Sequence, residues 1–228
     1  MKLLIIGYGK MGKAIARLSS QYGFLNVVIV DNEEDWIVKQ EEIKDCKVAI
    51  EFSTPQSVLF NLSKCFELQI PVVCGTTGWK EQKEDFLKVW RNRSISFIFG
   101  SNFSIGANIF FKLNEYLAQQ MNFQPQYNIT MEETHHVHKK DVPSGTALTL
   151  KQSIISQYQN EIDIPITSHR EGEVIGEHQV SYNSMEENIQ LKHMAHTRDA
   201  FAHGALKAAK WLIQNKGVYE FENIFDKL

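Results

Sequence analysis

Short apolar runs alternate with longer amphipathic segments along the first hundred residues of the chain. Five of these runs read as buried strands, at residues 3–6, 27–30, 48–52, 72–74 and 95–99. Helix-length segments lie between most of them, although residues 32–44 are acidic and poorly patterned. Because strands that are joined by helical crossovers run parallel and have both faces covered, the pattern predicts an α/β domain with a mostly parallel sheet.

The pattern changes after about Ser101. Helical spacing at residues 105–121 is followed by strand-like segments at 126–133, 172–182 and 188–193. These strands lack full helices between them, so we expect a second, α+β unit with an open, mixed sheet.

A last helical segment covers residues 200–214, and Gly217 is a suitable stop. We expect this helix to pack back on the first domain. The predicted boundaries are therefore residues 1–103 with 203–228 for the first domain, and residues 104–202 for the second.

The composition is that of a folded protein with balanced charge. Of the 228 residues, 43% are hydrophobic, which supplies a sizeable core and excludes disorder of the whole chain. Lys and Arg number 24 against 27 Asp and Glu, a formal charge of −3 without long runs of like charge. This balance argues against nucleic acid or an anionic membrane surface as the main partner.

The sequence also bears on location. No apolar stretch approaches the roughly 18 residues of a membrane span, and the run at residues 3–6 is much shorter than the core of a secretory signal. The three cysteines, Cys46, Cys65 and Cys74, have no Cys-x-x-Cys spacing, so they indicate neither a disulfide framework nor a zinc ribbon. We therefore expect a cytoplasmic protein.

A glycine-rich turn follows the first predicted strand and opens a helix. It reads Gly7-Tyr8-Gly9-Lys10-Met11-Gly12, which fits G-x-G-x-x-G. Gly7 permits a tight turn, Gly9 lets the backbone approach a pyrophosphate, and Gly12 lets the helix pack closely on the strand. The helix N-terminus offers unpaired N–H groups to the phosphates. The combination favours a Rossmann-like dinucleotide-binding domain over a strand-turn-helix without a ligand.

Asp31 ends the second predicted strand. A carboxylate there can accept hydrogen bonds from both ribose hydroxyls of the adenosine. Its negative charge disfavours the 2′-phosphate of NADPH. The next residue is Asn32 rather than an arginine. We therefore expect NADH to be preferred, with NADPH possible through Lys10 or Lys13.

Two small polar loops are predicted at the carboxyl ends of parallel strands, where ligands bind in open α/β sheets. They are residues 52–55 and 75–78. The first can serve as a helix cap, with Thr54 as N-cap and Pro55 at the first helical position. The second contains two glycines and two hydroxyls, which leaves room for a ring.

All eight histidines lie between His135 and His203, and three of them fall within residues 133–146. That segment combines groups that titrate near neutrality with a cation and a Ser-Gly-Thr helix start. Ser144 can be an N-cap alone, or the free N–H groups that follow it can hold a substrate carboxylate. We favour acid/base and anion chemistry, with a solvated loop as the alternative.

A metal site is a further alternative for the same segment. His136 and His138 are two residues apart, which puts two imidazoles on one face of an extended strand. Neither a cysteine nor a patterned third ligand is close to them in the sequence. We therefore predict that the site holds no metal.

The sequence resembles the dihydrodipicolinate (4-hydroxy-tetrahydrodipicolinate) reductases of bacterial lysine biosynthesis. Residues 133–147 match the family motif E-x-H-H-x-x-K-x-D-x-P-S-G-T-A, and residues 75–78 match its G-T-T-G loop. Residues 101–106 are similar to the family's segment between its two domains. The segments 176–178 and 201–205 extend the resemblance over nearly the whole chain.

The resemblance implies an enzyme that reduces 4-hydroxy-tetrahydrodipicolinate, a small dicarboxylate, to tetrahydrodipicolinate in the diaminopimelate and lysine pathway. Hydride from NADH or NADPH goes to C4 of the ring. By the same resemblance His135 donates the proton, Lys139 is a second acid or an electrostatic stabiliser, and His136 contacts the substrate. One substrate carboxylate would be bound by Gly145 and Thr146 at the helix start at Ser144.

The resemblance also implies a cofactor site and an assembly. The cofactor would be lined by Gly7, Tyr8, Gly9, Lys10, Met11, Gly12, Asp31, Gly75, Thr76, Thr77, Gly100, Ser101, Asn102 and Phe103. The family is a homotetramer built through the sheets of the second domain, which makes residues 104–202 a substrate-binding and tetramerisation domain. The sequence departs from the family in a glycine turn that is one residue shorter and in a shorter segment at residues 162–170.

Two other functions stay open from the residues alone. The chain could be another two-domain nicotinamide oxidoreductase, such as an amino-acid or semialdehyde dehydrogenase, and product analysis would separate these. It could also be a non-catalytic NADH sensor, since a fold does not decide a function. A sensor would bind NADH without turnover.

Overall fold

The computed structural model describes residues 1–90 and 96–228, which form two compact units, Met1–Ile105 with Arg198–Leu228, and Gly106–Thr197. In chain order the elements are β1 (Lys2–Ile6), α1 (Lys10–Leu18), β2 (Asn26–Val30), α2 (Glu33–Val38), α3 (Gln40–Lys44), β3 (Val48–Glu51), α4 (Val58–Glu67), β4 (Val72–Cys74), α5 (Lys80–Trp90), β5 (Phe97–Phe99), α6 (Ile105–Met121), β6 (Asn128–His135), α7 (Gly145–Ile155), β7 (Ile166–Arg170), β8 (Gly176–Asn183), β9 (Asn188–Ala195), α8 (Asp199–Leu212) and β10 (Val218–Glu220). Short 3-10 turns lie at Ser19–Tyr22, Phe221–Asn223 and Phe225–Lys227. In the described part of the chain, no helix has the length and apolarity that crossing a bilayer requires.

Six of the described strands form the sheet of the first unit. They lie in the order β10-β5-β4-β3-β1-β2, and each neighbouring pair is parallel. Strands β1, β3 and β4 are almost wholly buried, as expected of strands with both faces covered. The predicted Rossmann-like α/β fold is therefore confirmed, although Ile95, in the fifth predicted strand, lies outside the described residues.

The poorly patterned crossover at residues 32–44 consists of two short helices, α2 and α3. The side chain of Asn32 accepts a hydrogen bond from the Asp35 N–H at 3.0 Å and caps α2. Acidic residues in the first turns of both helices suit the positive end of the helix dipole. Local capping and charge thus make helices here where apolar periodicity is weak.

The strand order decides where this sheet can bind a ligand. Strand β1 lies between β2 and β3, so the connections on its two sides run in opposite directions. Such a switch point opens a crevice beyond the carboxyl ends of the strands. Gly7 follows β1 and Phe52 follows β3, which puts the glycine-rich turn and the first polar loop at this crevice.

Helix α8 packs into the core of the first unit, as predicted. Its small residues Ala205 and Ala209 are fully buried with Ile15 of α1 and Ile50 of β3. The backbone approach is close at Gly204, where a Cβ would lie 1.8 Å from the carbonyl oxygen of Phe103. Small side chains on one face of α8 therefore allow it to cover the sheet.

The second unit is an α+β structure with a mixed sheet, as predicted. Its strands lie in the order β7-β6-β8-β9, with β6 parallel to β7 and antiparallel to β8. Helices α6 and α7 contribute buried apolar residues, such as Phe110 and Leu150, to the same core as Met131 and Val180 of the sheet. Strand β7 was missed because its alternation at Ile166–Arg170 is mostly polar.

Candidate functional site

The glycine-rich turn in the first unit has the backbone that its glycines predict. Gly7 has a φ of +87°, and a Cβ there would lie 2.3 Å from the Phe52 carbonyl oxygen. At Gly12 a Cβ would lie 2.1 Å from the Gly7 carbonyl oxygen, whereas at Gly9 it would meet no atom within 4 Å. Gly7 and Gly12 are thus required by packing, while Gly9 leaves open space at the start of α1, as a pyrophosphate needs.

A groove of about 380 Å³ lies beside this turn. It is lined by Gly9, Lys10, Met11, Phe52, Ser53, Pro55, Gly75, Thr76 and Thr77. The structure thereby brings the glycine-rich turn together with both polar loops that the sequence singled out. The predicted cofactor residues Gly100, Ser101, Asn102 and Phe103 are not part of this lining.

A buried carboxylate at the end of β3 joins the two polar loops. Glu51 is fully buried and accepts hydrogen bonds from the main-chain N–H and the hydroxyl of Ser53 and from the Cys74 thiol. The Ser53 N–H also donates to Thr76 Oγ1 at 2.8 Å. Burial raises the pKa of Glu51. Glu51 therefore prearranges the wall of the groove, a role that its position at the end of an apolar strand did not indicate.

Asp31 lies at the end of β2, where a ribose-binding carboxylate is predicted. Its Oδ1 accepts a hydrogen bond from the main-chain N–H of Tyr8 at 2.6 Å. The carboxylate is exposed and connects the end of β2 to the glycine-rich turn. The next side chain, Asn32, is used as the cap of α2.

Three of the four residues after β5, Gly100, Asn102 and Phe103, have structural contacts, whereas Ser101 is exposed. Phe103 is 1% exposed, and its ring centroid lies 4.5 Å from that of Phe221 in the core. Gly100 packs against the same two rings, with a Cβ position 2.8 Å from Phe221 Cβ. The Asn102 side chain accepts from the Ser104 N–H at 2.9 Å. Their assignment to the cofactor stays a prediction.

In the second unit, a cluster of buried titratable side chains lies at one end of the sheet. Glu133 and His135 face the core from β6, and His178 faces it from β8, in register with Glu133. The two imidazole centroids are 4.9 Å apart. Glu133 Oε2 is 3.6 Å from His135 Nδ1 and 3.7 Å from His178 Nε2. Each of the three residues is at most 6% exposed.

Glu133 ties this cluster to the start of α7. Both of its carboxylate oxygens accept from the Ser144 N–H at 3.1 Å, and Oε1 also accepts from the Ser168 hydroxyl at 2.8 Å. The Arg170 guanidinium is 3.4 Å from Oε1. Burial alone would raise the pKa of Glu133, but the hydrogen bonds from the two serines outweigh it and lower the pKa.

Ser144 is the N-cap of α7, and Gly145 and Thr146 are the first residues of the helix. The Ser144 hydroxyl oxygen accepts from the Ala147 N–H at 3.2 Å and lies 3.1 Å from His178 Nε2. Since the oxygen already accepts from the helix, the hydroxyl proton is available to the His178 ring. The predicted helix start is confirmed, and the cap is held by a histidine on another strand.

Lys139 lies in the loop between β6 and α7. Its Nζ is 2.8 Å from the carboxylate of Asp141. The Arg170 guanidinium donates to the main-chain carbonyls of Lys139 and Asp141, at 3.3 Å and 2.6 Å. Arg170 therefore holds the backbone of this loop. His136 is the first residue after β6. Its Nδ1 atom is buried without a hydrogen-bond partner among the described residues.

Burial is the largest influence on His135 and lowers its pKa. The cations of Lys139 and Arg170 lower the pKa further, whereas the carboxylates of Glu133 and Asp141 raise it. The Nδ1 atom of His135 is buried and has no hydrogen-bond partner among the described residues. In the free protein the ring is thus mostly neutral at pH 7.

His178 makes stability depend on pH. Burial, with a contribution from His135, lowers its pKa from 6.5 to about 4. The unfolded chain therefore binds a proton between pH 6.5 and 4 that the folded chain does not, so stability falls as the pH falls through this interval. This lowering of the pKa corresponds to about 3 kcal/mol of stability that is lost as the pH falls.

We expect His178→Gln to lose less stability than the parent between pH 6.5 and 4, by about 3 kcal/mol. Urea unfolding at both pH values measures this. His196→Gln, which changes an exposed histidine, is the matched control and should keep the parent's pH dependence. Equal pH dependence in the parent and His178→Gln would contradict the assignment.

Four residues of this cluster were not assigned a role from the sequence: Glu133, Ser168, Arg170 and His178. The available signal was the period-two pattern of β6, in which Glu133 and His135 continue the inward face of Met131. Glu133, His135 and His178 also bring possible metal-ligand atoms within 4.8 Å of one another. This group is not the pair His136 and His138 that the sequence suggested, and the absence of a metal stays a prediction.

The comparisons with known proteins agree along the whole chain. Residues 1–103 match the family model described as "Dihydrodipicolinate reductase, N-terminus", and residues 106–225 match "Dihydrodipicolinate reductase, C-terminus". A 4-hydroxy-tetrahydrodipicolinate reductase of Christiangramia forsetii is 36% identical over 240 residues, which cover 100% of this chain and 99% of that protein. The same enzyme of Staphylococcus carnosus is 35% identical, covering 98% of this chain and 99% of its own.

A solved structure supports the fold. The dipicolinate-bound dihydrodipicolinate reductase from Paenisporosarcina sp. TG-14 has a TM-score of 0.73 and 24% identity, and it covers 98% of this chain and 99% of its own. Because both family models match and relatives above 30% identity span the full length, this chain belongs to the dihydrodipicolinate reductase family.

Proposed function

We propose that His135 donates the proton, and that Lys139 stabilises developing negative charge, when this chain reduces 4-hydroxy-tetrahydrodipicolinate with NAD(P)H. The reductase function in diaminopimelate and lysine biosynthesis follows from the family. One observation supports the assignment: the His135 imidazole is buried on β6, and no described residue makes a hydrogen bond to its Nδ1. The Lys139 cation is close enough to influence the pKa of this ring. Loss of the ring hydroxyl as water would leave a conjugated ring. Addition of a hydride at C4 and a proton at C3 then requires a proton donor and a cation for the developing charge.

The proton must come from a ring that is mostly neutral in the free protein. Negative charge near an imidazole raises its pKa, and the substrate brings two carboxylates. Substrate binding would therefore raise the pKa of His135 and load the proton that the reaction uses. The Glu133 carboxylate, with its Oε2 3.6 Å from Nδ1, also favours the protonated ring through its charge.

The start of α7 is the proposed site for one substrate carboxylate. Ser144 uses its hydroxyl to cap Ala147 and its N–H to bind Glu133. The N–H groups of Gly145 and Thr146 follow at the positive end of an eleven-residue helix. With His136 as a further substrate contact, this arrangement would orient the ring toward His135.

The family uses NAD(P)H, and we propose that this chain prefers NADH. The exposed Asp31 carboxylate at the glycine-rich turn supports this, because it would face a 2′-phosphate with like charge. Asn32 offers no cation because its amide is uncharged, and its side chain caps α2.

We expect Asn32→Arg to shift the ratio of kcat/KM values toward NADPH by at least about tenfold, because a charge-assisted hydrogen bond to the 2′-phosphate contributes about 1.5 to 3 kcal/mol. Steady-state kinetics with both cofactors measures the ratio. Asn32→Ala is the matched control: it removes the same cap without adding charge, so its ratio should stay at the parent value. A shift in both variants would mean that the cap, not the cation, is responsible.

We further propose a cytoplasmic homotetramer. The outward positions of the four-stranded sheet, including Glu132, Gln190 and Lys192, are exposed in the single chain, which leaves this face accessible to another copy. The three cysteines are free and buried, as suits a reducing compartment. Light scattering coupled to size-exclusion chromatography measures the assembly.

The experiment that tests the function is NADH oxidation, with NADPH in parallel, on substrate generated in situ from pyruvate and aspartate semialdehyde by a synthase. Rapid cofactor loss that depends on the synthase is expected. NADH binding without turnover would instead favour a sensor, and turnover of an amino acid would favour another dehydrogenase.

A further inference from the structure

The carboxylate of Asp141 lies against groups that the proposed function assigns to a substrate carboxylate. It is 2.8 Å from Lys139 Nζ. The main-chain N–H of Gly145, at the start of α7, is among the groups that lower the pKa of this carboxylate. Lys139 is thus already paired with an anion that belongs to the protein itself, a few residues before the start of α7.

We propose that Asp141 is an internal competitor for the substrate: its carboxylate occupies the anion site formed by Lys139 and the start of α7, and a substrate carboxylate must displace it. This inference rests on the proposed function, in which Lys139 and Gly145 contact the substrate. It adds a residue that sets the affinity for carboxylate ligands.

The side chain of Asp141 is placed to leave this site without unfolding the loop. It is 55% exposed, so it can turn into water. The backbone of the loop is held separately, because Arg170 binds the main-chain carbonyls of both Lys139 and Asp141. Displacement would therefore cost the contacts of one carboxylate and leave the fold of the loop in place.

The charge of the Asp141 side chain is also consistent with competition against a substrate carboxylate. Burial alone would raise the pKa of Asp141, but the hydrogen bonds from Lys139 and from main-chain N–H groups, including that of Gly145, outweigh it and lower the pKa. Asp141 is therefore ionised at neutral pH and competes as an anion. Exchange of one carboxylate for another leaves Lys139 paired in both states.

The test uses Asp141→Asn in the full chain and the planar dicarboxylate dipicolinate as the probe. Asn keeps the size of the side chain and an oxygen that can accept from Gly145, but it removes the charge that competes for Lys139. We expect the Kd for dipicolinate, measured by calorimetry without turnover, to fall by about threefold to tenfold, in line with the strength of an exposed ion pair with added hydrogen bonding. The substrate KM should fall similarly.

Asp163→Asn is the matched control, because it removes the same charge from a side chain that is 94% exposed and lies 3.8 Å from Lys151. Its Kd should equal that of the parent. Asp141→Ser, which shortens the side chain, should also bind more tightly and guards against an effect particular to Asn.

Two results would overturn the inference. An unchanged or larger Kd in both Asp141 variants would mean that the carboxylate does not compete, and a fall in kcat with a larger Kd would mean that Asp141 positions Lys139 for the reaction. Failure of the proposed function is distinguishable, since dipicolinate would then bind the parent and Lys139→Met equally or not at all. In that case the inference fails with it.

Discussion

Replacing His135 by Gln should lower kcat by about 10²-fold to 10⁴-fold and change the substrate KM little. Gln keeps a polar side chain of similar length in the pocket between Glu133 and His178, but it cannot deliver a proton to the ring in the transition state. Steady-state kinetics with NADH and saturating substrate measures the effect. A large loss of kcat is expected because the variant lacks an interaction made only in the transition state.

His138→Gln is the matched control for this substitution. His138 lies three residues further along, with a side chain that is 74% exposed, so kcat should stay near the parent value. If His135→Gln kept the parent's kcat, the proton would have to come from another group. Lys139 would then be the first candidate for the proton donor, because the proposed mechanism already places its cation at the developing negative charge.

The pH profile gives a second measure of His135. Because burial lowers its pKa in the free protein and an acid must be protonated to act, kcat/KM should fall as the pH rises through a value below 6.5. The substrate's carboxylates raise the pKa in the complex, so the corresponding fall in kcat should lie at higher pH. Both falls should be absent from the residual activity of His135→Gln.

Gly12→Ala should abolish measurable NADH binding and destabilise the protein by about 2 to 4 kcal/mol. The added Cβ would lie 2.1 Å from the Gly7 carbonyl oxygen, a backbone atom that cannot move without reshaping the turn. Urea unfolding and titration of NADH fluorescence measure the two losses.

Gly9→Ala separates the loss of NADH binding from the loss of stability. Its Cβ meets no protein atom within 4 Å and its φ of −74° suits alanine, so stability should change by only about 1 kcal/mol. NADH affinity should still fall at least tenfold, because the methyl group would enter the space proposed for the pyrophosphate. Parent-like NADH binding by Gly9→Ala would mean that the pyrophosphate lies elsewhere.

The strands of the first unit were predictable because buried parallel strands are short, nearly continuous apolar runs. The run at residues 72–74 matches β4 residue for residue, and the helix at residues 105–121 matches α6. Strand β10 was not predicted, since three residues carry no periodicity and only its pairing with β5 makes it a strand. Strand β7 depends in the same way on its partner β6.

The candidate site was predictable in part. Glycine spacing and the histidine-rich motif identified Gly7, Gly12, His135 and Ser144, because these residue types have few local alternatives. His178 lies in the segment at residues 176–178 that resembles the family, but the sequence indicated no role for it because it is far along the chain from Ser144. Only the pairing of β6 with β8 brings its Nε2 within 3.1 Å of the Ser144 hydroxyl.

By itself, the sequence determined the local features of this protein: the tight turn at Gly7, the helix start at Ser144 and most of the strands and helices. These depend on backbone preference, capping and periodicity, which act over a few residues. Only the tertiary structure decided the states of the charged groups, such as the lowered pKa of His135 and the pairing of Lys139 with Asp141. Burial and through-space charge set those states, and both depend on which distant residues the fold brings together.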